Sequence, residues 1–499
     1  MSGRAVILGL ALGTCSIAHA PWAMAQEPAP ALAPVSAAPT TSPTTSPPAP
    51  VGPTLTLPAV LASVAEAHPQ LEAARLRLRA AEADVTAARG GFDPQLRARG
   101  QYTPISSFPN GRVDVELRQP TPFWGLSVYG GWRLGLGDFL PYDLRAKTAS
   151  GGEIRAGVTL PVWQGGPTDR RRADIRIAGL AMDIAGIDAE GRAIELERAA
   201  ARAYWAWVGA GLRLAVQHDL LALAEDRDAA LRRQIAAGHT PEVEGLDNRR
   251  AIVERSARIV AAERALQQAA LELGRSLRDD AGVMIVPTSD RLPTAFPEPS
   301  APSPGRLDLL LEQALEQRPE LRRLALQRNM AQVELRLARN LRSPRIDLDA
   351  QVAKDLGRVK AADAYLLPAE FTAGVTIEVP LALRGARGKL RRAEAELARI
   401  DQELRFARDT VVTELRDAHS ALVAAHARVG LAREQLALTH KLEQAERSRF
   451  QLGDSTLLLV NLREQATTDA ATQELEALGE YHRAAADLRA AAGLRVSAQ

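Results

Sequence analysis

His68-Pro69-Gln70-Leu71 and Arg318-Pro319-Glu320-Leu321 are two versions of one phrase, 250 positions apart. The same offset carries Ala88-Arg89 onto Ala338-Arg339 and Pro94 onto Pro344, so the two stretches align without a gap. An internal repeat governs every later reading, because each copy is then one structural unit. Each half follows one plan: a helix opened by the Pro phrase, alternating strands, a very long helix, a Gly-centred turn and a returning helix. Gly157-Val158-Thr159-Leu160-Pro161 resembles Gly374-Val375-Thr376-Ile377-Glu378-Val379-Pro380, and Gly238 matches Gly453. The copies span 54–286 and 306–495, and 287–305 joins them with proline at 287, 293, 297, 299, 302 and 304.

In the first helix Val64, Leu71, Leu78 and Val85 recur every seven residues, and Ala67, Ala74, Ala81 and Ala88 do the same. Together they make the three-four spacing of a coiled-coil seam, with small alanines that let neighbouring helices approach closely. The matching helix, Leu310 to Ala338, keeps much of the pattern but carries Arg328 on the seam, which predicts looser or wetter packing there. No proline interrupts Thr168 to Thr240, and none follows Pro380. Helices of sixty to seventy residues would reach roughly 90–105 Å. Such rods need partners along their whole length, from their own return helices and from other copies. Gly179, Gly186, Gly191, Gly209 and Gly211 are expected to mark bends or breaks in the first rod.

Strands are expected within 94–162 and 344–381. Leu96, Ala98, Gly100 and Tyr102 alternate with Gln95, Arg97, Arg99 and Gln101; Ile346, Leu348, Ala350 and Val352 alternate with Arg345, Asp347, Asp349 and Gln351. Ile154 to Leu160 and Phe371 to Val379 alternate too, as do Val113 to Leu117 and Leu126 to Leu136 around the turn Gln119 to Gly125. An apolar face backed by a polar one suits a water-filled transmembrane barrel. A soluble half-buried sheet has the same period, but so few strands would leave open edges that lipid does not tolerate. Strands pooled from several copies remove both problems. Phe123, Trp124, Trp132, Phe139 and Tyr142 read as girdle aromatics at the membrane interface, with packing inside an external loop as the alternative.

The N-terminus reads as an export signal over 1–25. Arg4 is followed by the apolar run Ala5 to Leu12 and by the small-x-small site Ala23-Met24-Ala25. Leu12-Gly13-Thr14-Cys15 loosely resembles a lipoprotein box and keeps lipidation of Cys15 open. Cys15 is the one cysteine, so cleavage at Ala25 leaves no thiol, and disulfides, thiolate metal sites and cysteine nucleophiles fall together. Residues 26–53, rich in Pro, Ala, Thr and Ser, form an extended tether. A net charge of +2 with interspersed signs shows no one-signed stripe for nucleic acid, and Arg170-Arg171-Arg172 reads as solvated surface.

The order of these parts resembles the TolC family of outer-membrane factors, over essentially the whole chain from Thr54 to Leu494. The carriers are the paired Pro-(Gln/Glu)-Leu starts, the Ala-Arg endings before Pro94 and Pro344, and the strand ends Leu160-Pro161-Val162 and Val379-Pro380-Leu381. Arg449-Phe450-Gln451-Leu452-Gly453 is a further one, similar to the family's Arg-aromatic-x-x-Gly. The resemblance implies a mainly α fold with β. Duplicated helical hairpins would form a trimeric periplasmic α-barrel, and strands would pool into a transmembrane β-barrel of twelve strands, or eighteen if the extra pair in the first half takes part. It implies a homotrimer in outer-membrane lipid, a periplasmic adaptor, and an inner-membrane pump or ABC secretion ATPase. The adaptor would meet the hairpin tips, here Gly238, His239 and Thr240 with Gly453, Asp454 and Ser455; glycine permits the positive φ, and Thr240 and Ser455 can cap the next helix.

The family often places Asp six and nine positions beyond the second tip glycine, where this chain has Leu459 and Leu462; the first repeat has Glu244 and Asp247. An acidic constriction from the first hairpin and an apolar one from the leucines are both open. Chemistry is hard to find: His419 and His426 are seven apart on one helix, and no metalloprotease, phosphate-loop or nucleophile-elbow motif appears. The chain therefore reads as a passive exit duct for efflux or type I secretion, with no cofactor, metal site or catalytic residue. A periplasmic adaptor and a coiled-coil scaffold are the rivals, although an adaptor would carry one hairpin rather than two.

Overall fold

The computed structural model describes residues 53–139, 147–279, 281–303, 305–358 and 369–496; the export signal, nearly all of the tether, Tyr142 and Pro304 lie outside them. The first repeat runs α1 (Leu57–Ala67), α2 (Pro69–Arg89), β1 (Gln95–Thr103), β2 (Asn110–Pro120), β3 (Ser127–Gly137), β4 (Glu153–Pro161), α3 (Arg170–Ala236) and α4 (Glu242–Gly274). The second runs α5 (Arg306–Gln317), α6 (Pro319–Asn340), β5 (Arg345–Asp355), β6 (Glu370–Glu378), α7 (Arg384–Gln451) and α8 (Leu457–Ala491).

The opening helix of each repeat is two helices, not the single one expected. His68 sits at φ −72°, ψ 122° and Arg318 at φ −55°, ψ 126°. A following proline bars the helical region to both. His68 Nδ1 then caps α2 by accepting from the Gln70 N–H at 3.2 Å. Along α2 the seam behaves as its spacing requires. Leu71 and Ala74 are buried, Leu78, Ala81, Val85 and Ala88 half-buried, and every other residue from 72 to 89 is exposed. That one covered stripe lies on α3, whereas α6 is held between α3 and α7. At Arg328 the seam is closed by an ion pair, Nε to Asp401 Oδ1 at 2.6 Å.

The rods α3 and α7 have 67 and 68 residues, about 100 Å each at 1.5 Å per residue. None of the five glycines breaks α3. Two of them mark close approaches instead: a Cβ on Gly211 would stand 2.4 Å from the Leu292 side chain, and one on Gly191 3.2 Å from Pro319. Arg172 is not simply solvated, because its guanidinium grips Asp169 and the Gly166 carbonyl at the start of α3.

The short helices cover the middle of the rods. Val60 and Val64 of α1 pack with Tyr204, Trp207 and Val208 of α3 and Leu273 of α4; Leu310 and Ala314 of α5 pack with Val411 and Leu415 of α7 and Tyr481 of α8. Tyr204 Oη donates to the Leu55 carbonyl at 3.0 Å, and burial pushes its hydroxyl up to about 12. The six strands form one antiparallel sheet in sequence order. The repeats meet in it through β4 and β5, from Glu153↔Asp355 to Pro161↔Asp347.

Candidate conduit wall and hairpin tips

The register gives the sheet two unlike faces. Leu96, Val115, Trp132, Ile154, Val352 and Phe371 stand on one face, and the pairings Ala98↔Val115, Val115↔Trp132, Trp132↔Ile154, Ala156↔Val352 and Val352↔Phe371 carry it across all six strands. The opposite face is polar and cross-linked. Arg155 Nη2 reaches Asp114 Oδ2 at 2.8 Å and Glu116 Oε2 at 3.1 Å, Arg133 Nε reaches Glu153 Oε2 at 2.8 Å, and Thr159 Oγ1 donates to Asp349 Oδ1 at 2.7 Å. One face suits hydrocarbon and the other water. Both edges are bare, since β6 is exposed throughout and β1 everywhere but Thr103. Among the described residues the aromatics do not form one cluster. Phe123 and Trp124 lie in the turn between β2 and β3, beside the segment after β4 where Trp163 is exposed. Trp132 is bonded through Nε1 to the Gly151 carbonyl, and Phe139 is buried beneath Arg112. Among the described residues no helix is long and apolar enough to cross a membrane.

At the far ends of the rods both hairpins turn in the same way. Gly238 (φ +76°) and Gly453 (φ +85°) follow a residue in helical conformation, and His239 N–H and Asp454 N–H reach back to the carbonyls of Gln234 and Arg449 at 2.9 Å. These are paired Schellman turns, which require the left-handed residue that glycine supplies. The next helices are not capped by Thr240 and Ser455 as expected. The N-caps are Pro241, without a side-chain bond, and Thr456, whose hydroxyl accepts from the Leu459 N–H at 3.5 Å. The turn runs one residue longer than the spacing suggested, which leaves Ser455 free to reach Glu446 and Thr240 to reach Gln234. Glu244 and Asp247 lie half-buried on the first two turns of α4, Asp247 3.8 Å from Arg250; Leu459 and Leu462 are exposed on α8.

Sequence reasoning missed a polar knot above the tips. Glu464 of α8 is fully buried and is met by Arg255 of α4 at 3.0 Å, Arg447 of α7 at 3.2 Å and Arg227 of α3. One carboxylate thus joins all four long helices of both hairpins. Arg255, itself 4% exposed, also donates to the Leu220 carbonyl at 2.7 Å. Burial lowers its pKa, and the Glu464 carboxylate opposes that shift. The signal was legible in principle, because Leu457, Val460, Glu464 and Thr468 share one stripe and all are buried.

Duplicated helical rods tied beneath one sheet with a lipid-suited and a water-suited face define a membrane export conduit. The chain belongs to the outer membrane efflux protein family, whose model matches residues 60–277 and 310–494. It is an outer-membrane efflux channel that extends into the periplasm as helices and serves as the exit duct. No curated protein matches it at a significant level. Solved structures share the fold. VceC from Vibrio cholerae is 15% identical, covering 88% of this chain and 96% of that one, with a TM-score of 0.62. CmeC from Campylobacter jejuni is 14% identical over 88% and 85%, with 0.60. MtrE of Neisseria gonorrhoeae, in its open state, is 16% identical over 88% and 89%, with 0.58. The adaptor and scaffold alternatives find no support in these matches.

Proposed function

We propose that three copies close into a continuous, non-catalytic duct in which each copy repeats toward its neighbour the contacts its two halves already make internally. Within the chain β4 pairs with β5, and α3 packs on α6 and α8. Advanced by one repeat, the same step pairs β6 with the neighbour's β1 and sets α7 on the neighbour's α2 and α4. Among the described residues the surfaces this needs are exposed. Leu246, Val253 and Val260 recur every seven residues on exposed positions of α4, and Leu431, Leu438 and Leu442 are exposed on α7. Equivalent places on α8 and α3 are filled internally, where Arg227 meets Asn461 at 2.7 Å. The offset between the tip glycines carries that pair onto Leu442 and Leu246, and this equivalence is the observation that carries the proposal.

In the closed duct the first-repeat positions Glu244 and Asp247 alternate with Leu459 and Leu462. Each of two rings at the entrance then holds three carboxylates and three leucines, with a preference for cations over anions. The tips Gly238, His239 and Thr240 with Gly453, Asp454 and Ser455 meet a periplasmic adaptor, which couples the duct to an inner-membrane pump or an ABC secretion ATPase. The test is a chain carrying Leu246→Cys and Leu442→Cys, treated with a short bis-maleimide in outer-membrane fractions. A ladder ending at a covalent trimer is expected. Labelled monomers without a ladder would contradict the arrangement.

A further inference from the structure

Resting on the closed-duct reading, we infer that the membrane section has eighteen strands and is as wide as the helical tunnel below it, so that the exit imposes no size filter of its own. The hairpin β2–β3 is what makes six strands per copy, and three observations put it in the wall. It is inserted into the sheet, since β2 pairs with β1 from Gln95↔Arg118 to Thr103↔Asn110 and β3 pairs with β4 from Ser127↔Thr159 to Arg133↔Glu153. Were it an external flap, β1 and β4 would be neighbours and β2–β3 would stand apart.

Its faces are also in phase with its neighbours, Val115 and Trp132 standing between Ala98 and Ile154. A one-residue slip in either pairing would have turned every apolar side chain of the hairpin to water. Finally, the hairpin is tied on its polar face and at its turn. Arg155 of β4 reaches across β3 to Asp114 and Glu116 of β2. The Tyr129 ring of β3 lies so close to Gly157 of β4 that a Cβ there would be 2.6 Å from it. At the turn, Trp124 Nε1 would stand 2.6 Å from a Cβ on Gly166, in the segment leading to α3.

The widths agree. Strands about 4.8 Å apart and tilted by about 40° each take about 6.3 Å of circumference, so six occupy about 38 Å per copy. Four helices side by side, α2, α3, α6 and α7, take about 32–40 Å at 8–10 Å spacing. Four strands would take about 25 Å, and the tunnel would have to narrow by about a third on entering the membrane. Eighteen strands give a backbone diameter of about 36 Å against about 24 Å for twelve. The two tip rings then become the narrowest part of the path.

The full chain carrying one new cysteine at a time is labelled with bimane and reconstituted into phosphatidylcholine vesicles with or without brominated acyl chains. Val115→Cys and Leu134→Cys report on the inserted hairpin; Ala98→Cys and Ala350→Cys report on strands that a twelve-stranded barrel would also contain. The same loss of fluorescence at all four sites is expected, with Asp114→Cys reacting with a membrane-impermeant maleimide. Quenching at Ala98 and Ala350 but not at Val115 and Leu134 would overturn eighteen strands and leave the duct standing. No quenching at any site would overturn both.

Discussion

Replacing Glu464 by Gln removes one negative charge from a site that bulk water cannot reach. The side chain is fully buried and Arg255 is 4% exposed, while Arg227 and Arg447 are 17% and 37% exposed. The two more exposed arginines regain water when the charge goes, so their loss is below about 1 kcal/mol each. Arg255 has no such refuge, and breaking a buried pair of this kind costs about 3–5 kcal/mol. Because Glu464 joins α3, α4, α7 and α8, the cost falls on holding the hairpins together rather than on either hairpin alone. Near-isosteric Gln keeps the shape and one acceptor, which points to the lower end, about 3 kcal/mol, or more than 100-fold faster opening. Amide hydrogen exchange on the detergent-solubilised protein reads this directly in α4 and in the first half of α8. Replacing the pair together, as Arg255→Met with Glu464→Leu, should recover most of the loss, since no charge is then buried unpaired. Exchange in Glu464→Gln within about threefold of the native protein, or a double variant worse than the single one, would refute the reasoning.

Trp207 is wholly buried among α1, α3 and α4, so Trp207→Ala should cost about 3–5 kcal/mol and lower the melting midpoint of the helical part. Gly238→Ala and Gly453→Ala should each cost about 1–2 kcal/mol from the left-handed backbone alone, because nothing lies within 4 Å of the added methyl; hydrogen exchange at the tips would measure it, and Asn should cost less than Ala. His482 stacks on Trp205 at 4.4 Å with Nε2 3.1 Å from the Pro297 carbonyl, and burial lowers its pKa. A lowered folded pKa means the unfolded chain binds the proton more readily. The contribution of His482 is complete above about pH 6.5 and is lost as pH falls from there through the folded value. The thermal midpoint should therefore drop between pH 7.5 and 5 by more in the native protein than in His482→Gln. Glu244→Gln with Asp247→Asn should reduce cation preference in planar bilayers, and unchanged selectivity would count against the carboxylate rings.

Much of this architecture could be read from spacing. The α2 seam and all six strands follow from periods of seven and two, which survive wherever one face of an element is buried and the other is not. The split at His68 and Arg318 was equally available, since Pro69 and Pro319 forbid a helical residue before them; the unbroken heptad across His68 hid it. The tips were located by Gly238 and Gly453, but their caps were not, because a Schellman turn adds a residue that glycine spacing alone does not report. The knot at Glu464 was hidden for a different reason. Its partners come from three other helices, two of them more than two hundred residues away in sequence, and a glutamate among arginines on a long helix is ordinarily solvated. Only its place on the stripe with Leu457 and Val460 distinguishes it. Fold and candidate site were legible where one element decides the outcome, and illegible where three or four must meet.

The central claim is that the bare β1 and β6 edges are completed by sister chains. Native mass measurement of the chain extracted from outer membranes in mild detergent tests it most directly. A complex of three chains that is retained after dilution is predicted. A folded monomer that stays in solution when detergent is removed would contradict it.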